Sequence, residues 1–122
     1  MRSVATEDEE QAALFEWAAL NEGRYPELKF MFAIPNGGMR PINTAKTMKN
    51  TGTKKGVPDI FLSVPKKEFH GLYIEMKRRK NGRVSPEQRE WITGLREQGY
   101  QAEVCKGWTE ATAIIRSYLR GV

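Results

Sequence analysis

The chain is poor in the residues that soft metal sites and disulfide frameworks need, with one cysteine, Cys105, and one histidine, His70. A lone thiol closes no internal disulfide, and no zinc-spaced set of Cys and His exists, so a reducing interior such as the cytoplasm is expected. Cys105 reads as a small packing residue of a strand and His70 as a turn residue rather than as nucleophile and base. Long apolar runs are also missing. None approaches the roughly 18 residues of a membrane span, and Met1 to Glu10 is acidic where an export signal would be basic and then apolar, so no membrane partner is expected. Without a Walker motif or a GxGxxG turn no nucleotide cofactor is expected, and repeats, linkers and low-complexity tracts are lacking.

What remains is a 122-residue chain, 39% apolar and 10% aromatic, enough to build one core, so a single domain over residues 1–122 is expected. The net charge of +5 is unevenly spread. Residues 1–39 carry three basic and seven acidic side chains, residues 40–89 thirteen and four, and residues 90–122 four and four. The middle segment, at +9, is the footprint of a protein that neutralises phosphates, against the plainer reading of a surface kept charged for solubility.

Thr6 followed by Glu9 is a capping box, which starts a helix carried by Leu14, Trp17, Ala18 and Asn21 over 6–22. Lys29–Ile34 reads as a strand closed by Pro35 and the Asn36-Gly37-Gly38 turn, and Pro41–Asn50 as a short basic helix. Ile60–Val64 and Leu72–Lys77 are two strands expected to pair as a hairpin across the turn at 66–71. Ser85-Pro86-Glu87-Gln88 starts a helix to about Gln98, Tyr100–Cys105 is a strand, and a helix from Trp108 or Thr109 to Leu119 closes the chain. The order α-β-α-β-β-α-β-α predicts a small mixed sheet flanked by helices, an α/β fold.

Within Leu72–Lys77 alternate residues share a face, so Leu72, Ile74 and Met76 are expected to face the core and Tyr73, Glu75 and Lys77 the other side. The hairpin brings Asp59, after Pro58, to Glu75. Two carboxylates converging on a point repel, which raises a pKa or recruits a hard cation, and oxygen donors suit Mg²⁺ or Mn²⁺. A lysine beside them can orient a water and offset charge on a scissile phosphate. An Asp at a turn and a solvated Glu-x-Lys pair would also account for these residues taken singly. Gln88 lies in line with Ile92 and Leu95, so its amide needs a buried partner.

Gly56-Val57-Pro58-Asp59-Ile60, Gly71-Leu72-Tyr73-Ile74-Glu75-Met76-Lys77, Ser85-Pro86-Glu87-Gln88, Ile34-Pro35-Asn36-Gly37-Gly38 and Gly99-Tyr100 together resemble the PD-(D/E)XK nuclease superfamily, and within it stand-alone VRR-NUC domains of phages and bacteria. The resemblance implies a restriction-endonuclease-like fold and a divalent-metal-dependent phosphodiesterase acting on DNA. Small members of that family are homodimers on branched DNA, similar to Holliday junction resolvases. Asp59 and Glu75 would then be metal carboxylates, with the Met76 carbonyl a further ligand, Lys77 the catalytic lysine and Gln88 the motif glutamine. Among the consecutive acids Glu7, Asp8, Glu9 and Glu10, Glu7 is chosen as the first-helix acid, one turn before Gln11, because Glu9 belongs to the capping box. Asn36, Arg40, Lys46, Lys49, Lys54, Lys55, Arg78, Arg79 and Lys80 are the expected nucleic-acid contacts. The rival reading is a non-catalytic nucleic-acid-binding module on the same scaffold. For the dimer, Phe15, Trp17, Ile114 and Tyr118 are the expected apolar surface, since one small core would not take them all.

Overall fold

The computed structural model describes residues 3–35 and 50–121. The Asn36-Gly37-Gly38 turn and, Asn50 apart, the basic helix expected over 41–50 lie outside the described residues, as do Arg40, Lys46 and Lys49.

Thr6 caps helix α1 (Glu7–Asn21): its backbone N–H donates to Glu9 Oε1 at 2.8 Å while the Glu9 N–H donates to Thr6 Oγ1 at 3.1 Å. A short 3-10 turn (Pro26–Phe30) follows, then strand β1 (Met31–Ala33). Lys29 and Phe30, expected in the strand, thus belong to a tight turn. Pro26 sets φ at the start of that turn. Strand β2 (Ile60–Leu62) stops before Pro65 instead of reaching Val64, although the Ser63 N–H still donates to the Phe30 carbonyl at 3.1 Å. Strand β3 (Leu72–Lys77) leads through helix α2 (Pro86–Glu97) to strand β4 (Gln101–Lys106), and helix α3 (Trp108–Arg120) ends the described chain.

The sheet order is β1-β2-β3-β4. β2 pairs antiparallel with both β1 and β3, with Ile60 opposite Ile74, so the expected hairpin is present. β3 and β4 are parallel, as a crossover through α2 allows. Helices α1 and α3 pack on each other and on β3, and α2 packs on β4. Leu14 of α1 and Ile115 of α3 meet Ile60, Leu62, Leu72, Ile74 and Met76 in one core, every one of them without measurable exposure. At about 1.5–3 kcal/mol for each fully buried large apolar side chain, this packing is what holds the layers together.

Two expectations change here. The face of β3 carrying Glu75 and Lys77 is buried as well as the apolar one, because β3 is central in the sheet and α2 brings Gln88 onto that face. Phe15, Trp17, Ile114 and Tyr118, expected at a dimer surface, all pack against the single core, and the Tyr118 hydroxyl donates to the Val64 carbonyl at 2.6 Å. Among the described residues, the large apolar side chains left exposed are Leu20, Phe30 and Phe32. Among the described residues no helix is long and apolar enough to cross a membrane.

Candidate active site

The register of the hairpin does the first part of the construction. With Ile60 opposite Ile74, Asp59 falls beside Glu75 at the end of the two strands. Asp59 is held on both sides: its carbonyl accepts from the Ile34 N–H at 2.7 Å, and its Oδ2 accepts from the Met76 N–H at 2.8 Å. Gly56, at φ +94°, lets the loop before Asp59 press against the first turn of α2. A Cβ there would lie 2.7 Å from the Glu87 carbonyl carbon, so the position tolerates only glycine.

Helix α2 supplies the next piece. Ser85 caps it and Pro86 occupies its first turn, while the Gln88 side chain closes the capping box by accepting from the Ser85 N–H at 2.9 Å. The other end of the same amide donates from Nε2 to Glu75 Oε2 at 3.0 Å, so one glutamine joins the helix cap to the buried carboxylate. This is the buried partner that the alignment of Gln88 with Ile92 and Leu95 requires. Lys77 is buried too, and its Nζ lies 3.8 Å from the same Glu75 oxygen.

Glu75 itself is 1% exposed, and its second oxygen, Oε1, is buried with no hydrogen-bond partner. Carboxylate oxygens of Glu7, Asp59 and Glu75 lie within 4.8 Å of one another, Glu7 arriving from the first turn of α1. Burial, then the neighbouring Asp59 carboxylate, pushes the Glu75 carboxyl up to about 9, and burial raises that of Asp59. A buried acid at like-charged neighbours, with one oxygen left without a hydrogen bond, is a set of donors that could hold a cation. All the donors are hard oxygens, which fits Mg²⁺ or Mn²⁺ better than a thiophilic metal.

The four consecutive acids have separate tasks. Glu9 closes the helix cap, and Asp8 is exposed. Glu7 joins the cluster, and Glu10, 3% exposed, turns to the other side. Glu10 Oε2 accepts from Arg79 Nε at 2.9 Å and its Oε1 from the Trp108 N–H at 2.9 Å. Against the opposing effect of burial, these partners hold its carboxyl below the ordinary range. Sequence reasoning overlooked Glu10. The available signal was its spacing, four and eight residues before Leu14 and Ala18 on the buried stripe. Arg79, read from sequence as a phosphate contact, directs its guanidinium to Glu10, whereas Lys54, Lys55 and Lys80 are exposed, and Arg78 is half-buried. Cys105 is wholly buried and its thiol is pushed up to about 12 by burial, so it packs and does not react.

Comparison with known proteins places the fold and the family. The VRR-NUC domain family matches residues 4–108. A solved structure described as a VRR_NUC domain protein is similar at a TM-score of 0.83 and 29% identity, over 97% of this chain and 91% of that one. No curated protein matches the chain. The four-stranded mixed sheet with its flanking helices is consistent with the PD-(D/E)XK-like fold. The chain belongs to the VRR-NUC domain family, and so carries a nuclease-like domain.

Proposed function

We propose that this domain, taken as one unit over residues 1–122, is an endonuclease that hydrolyses phosphodiester bonds in DNA with the help of Mg²⁺ or Mn²⁺. The observation that carries the reading is the convergence of Glu7, Asp59 and Glu75 within 4.8 Å, beside the buried Lys77. Glu7, Asp59 and Glu75, with the Met76 carbonyl, would hold the ion, which supplies Lewis-acid polarisation of the phosphoryl oxygen. Lys77 orients the attacking water from its buried position and offsets the charge that develops on the scissile phosphate. Gln88 holds Glu75 through Oε2, and Oε1 is left without a hydrogen bond. Asp59, anchored at the Met76 N–H, keeps one oxygen for that bond and one for the site.

The nucleic acid would be steered by the basic residues that bracket the acids in sequence, Lys54 and Lys55 before Asp59, and Arg78 and Lys80 after Lys77. Branched DNA is the proposed substrate and a two-fold dimer the working form, since two symmetry-related strands of a four-way junction need two centres. The dimer surface is moved from the core aromatics to the neighbourhood of β1, where Phe30 is 54% and Phe32 49% exposed. The test is incubation of the protein with linear, nicked, flapped and four-way DNA in Mg²⁺, with sedimentation of the free protein in parallel. Preferential, paired cleavage of the four-way substrate by a species of twice the chain mass is expected. Equal cleavage of all four forms removes the structural selectivity, and binding with no cleavage favours a non-catalytic module.

A further inference from the structure

Glu7 has the weakest local support of the three acids, since it opens a helix and helix ends fray. Its capping box lies on the helix's own first turn, and the core anchors of α1, Leu14 and Ala18, lie two and three turns further on. Among the described residues, the tertiary hydrogen bonds of α1 that lie nearest to Glu7 are those of Glu10, one turn later and about 4.5 Å along the axis. Its two oxygens reach the segment that follows β3 and the start of α3. Arg79 follows Lys77 by two residues, and Trp108 follows Lys106, the β4 partner of Lys77, by two.

Gly107 completes the junction. Its N–H donates to the Lys77 carbonyl at 3.0 Å, and the Arg79 side chain lies so close over it that a Cβ would meet Arg79 Nε and Cζ at 2.8 Å. A residue with a side chain there would push the guanidinium off Glu10, and its φ of +91° favours glycine in any case. One buried carboxylate therefore joins the start of α1, the end of β3 and the start of α3.

We propose that Glu10, with Arg79 and Gly107, is a latch that positions Glu7 over Asp59 and Glu75 and so sets the affinity of the site for its cation. This rests on the metal-centre reading above. Glu10 is a positioning residue, because its oxygens point to Arg79 and Trp108 and not into the cluster. Groups hydrogen-bonded to ligand side chains commonly govern 10- to 100-fold in metal affinity, and Glu10, which places its ligand from one turn away, is set at the lower end of that range.

The experiment is calorimetric titration of Mn²⁺ into the full chain stripped with chelator, comparing wild type, Glu10→Gln, Glu7→Gln and the double variant, with a thermal melt of each. Glu10→Gln is expected to weaken Mn²⁺ binding about 10-fold or more, and to add nothing once Glu7 is already Gln, since it acts through that residue. A purely structural role for Glu10 would lower the melting temperature and leave the Mn²⁺ affinity of the folded protein unchanged. That outcome, or losses that simply add in the double variant, overturns the latch. If Glu10→Gln does not fold, Arg79→Ala takes its place, because Arg79 is the half-exposed partner, and undiminished Mn²⁺ affinity in it is equally contrary. Wild-type protein that takes up no Mn²⁺ overturns the metal centre and the latch with it, whereas Mn²⁺ uptake that is equal in wild type and Glu10→Gln overturns the latch alone.

Discussion

Replacing Glu75 by Gln is expected to stabilise the metal-free protein while removing its activity. Glu75 is buried beside Asp59, and its carboxyl stands at about 9 instead of 4.5, first through burial and then through the charge of Asp59. The folded state therefore binds that proton more tightly than the unfolded chain does. Stability from this source is complete below about pH 4.5 and is lost as pH rises toward 9. At about 1.4 kcal/mol per unit, a pH of 7 lies far enough above the unfolded value to forfeit ~3 kcal/mol. A glutamine has the same shape, can still accept from Gln88 Nε2 and offer an N–H to Asp59, and has no proton for the unfolded chain to release as pH rises. For a domain of this size ~3 kcal/mol is about 10 °C in melting temperature. The assay is a set of thermal melts in EDTA from pH 4 to pH 9. The gain in Glu75→Gln should be near zero at pH 4, grow through neutrality, and be reversed on adding Mn²⁺, which stabilises only the wild type. A variant that melts at or below the wild-type temperature in EDTA at pH 8 would refute the reasoning, because it would mean that the carboxylate pair is not under electrostatic stress.

Lys77→Ala should retain the fold and lose cleavage by a factor on the order of 10² or more, measured under single turnover, as expected for one preorganised electrostatic group. Neutralising Lys54 and Lys55 together should flatten the plot of log affinity for duplex DNA against log salt by about 2, at roughly 0.9 for each phosphate that the protein no longer neutralises; an unchanged slope places the binding surface elsewhere. Tyr118→Phe removes the hydroxyl that donates to the Val64 carbonyl and should lower stability by about 1 kcal/mol in urea unfolding, with cleavage unaffected.

The local signals proved the easiest to read. Thr6 with Glu9 and Ser85 with Pro86 and Gln88 mark their helix starts because capping is settled within four residues, and the caps form as the spacing requires. The pairing of Asp59 with Glu75 was also legible, since a hairpin between two apolar strands leaves few registers that bury Ile60, Ile74 and Leu72 together. Contacts across elements were harder. The burial of Lys77 depends on β3 being central and on where α2 crosses, and neither follows from the strand's own alternation. Glu10 was hidden in a run of acids that looks like a solvated first turn, and its partners Arg79 and Trp108 are 69 and 98 positions away. The short β1 was masked by the aromatic run that precedes it: Lys29 and Phe30 look strand-like, yet Pro26 draws them into a 3-10 turn. The aromatics assigned to a dimer surface reached the core because α1 and α3 pack against each other over the sheet, an arrangement that one-helix periodicity does not reveal.

The central claim is that the Glu7, Asp59, Glu75 and Lys77 cluster is a metal-dependent phosphodiesterase centre. Its most direct test is cleavage of end-labelled four-way DNA by chelator-stripped protein, before and after restoring Mg²⁺ or Mn²⁺, with Asp59→Asn run alongside. The account predicts no cleavage in chelator, full recovery with either ion, and none from Asp59→Asn under any condition. Cleavage that persists in EDTA, or that Asp59→Asn performs as well as the wild type, would contradict it.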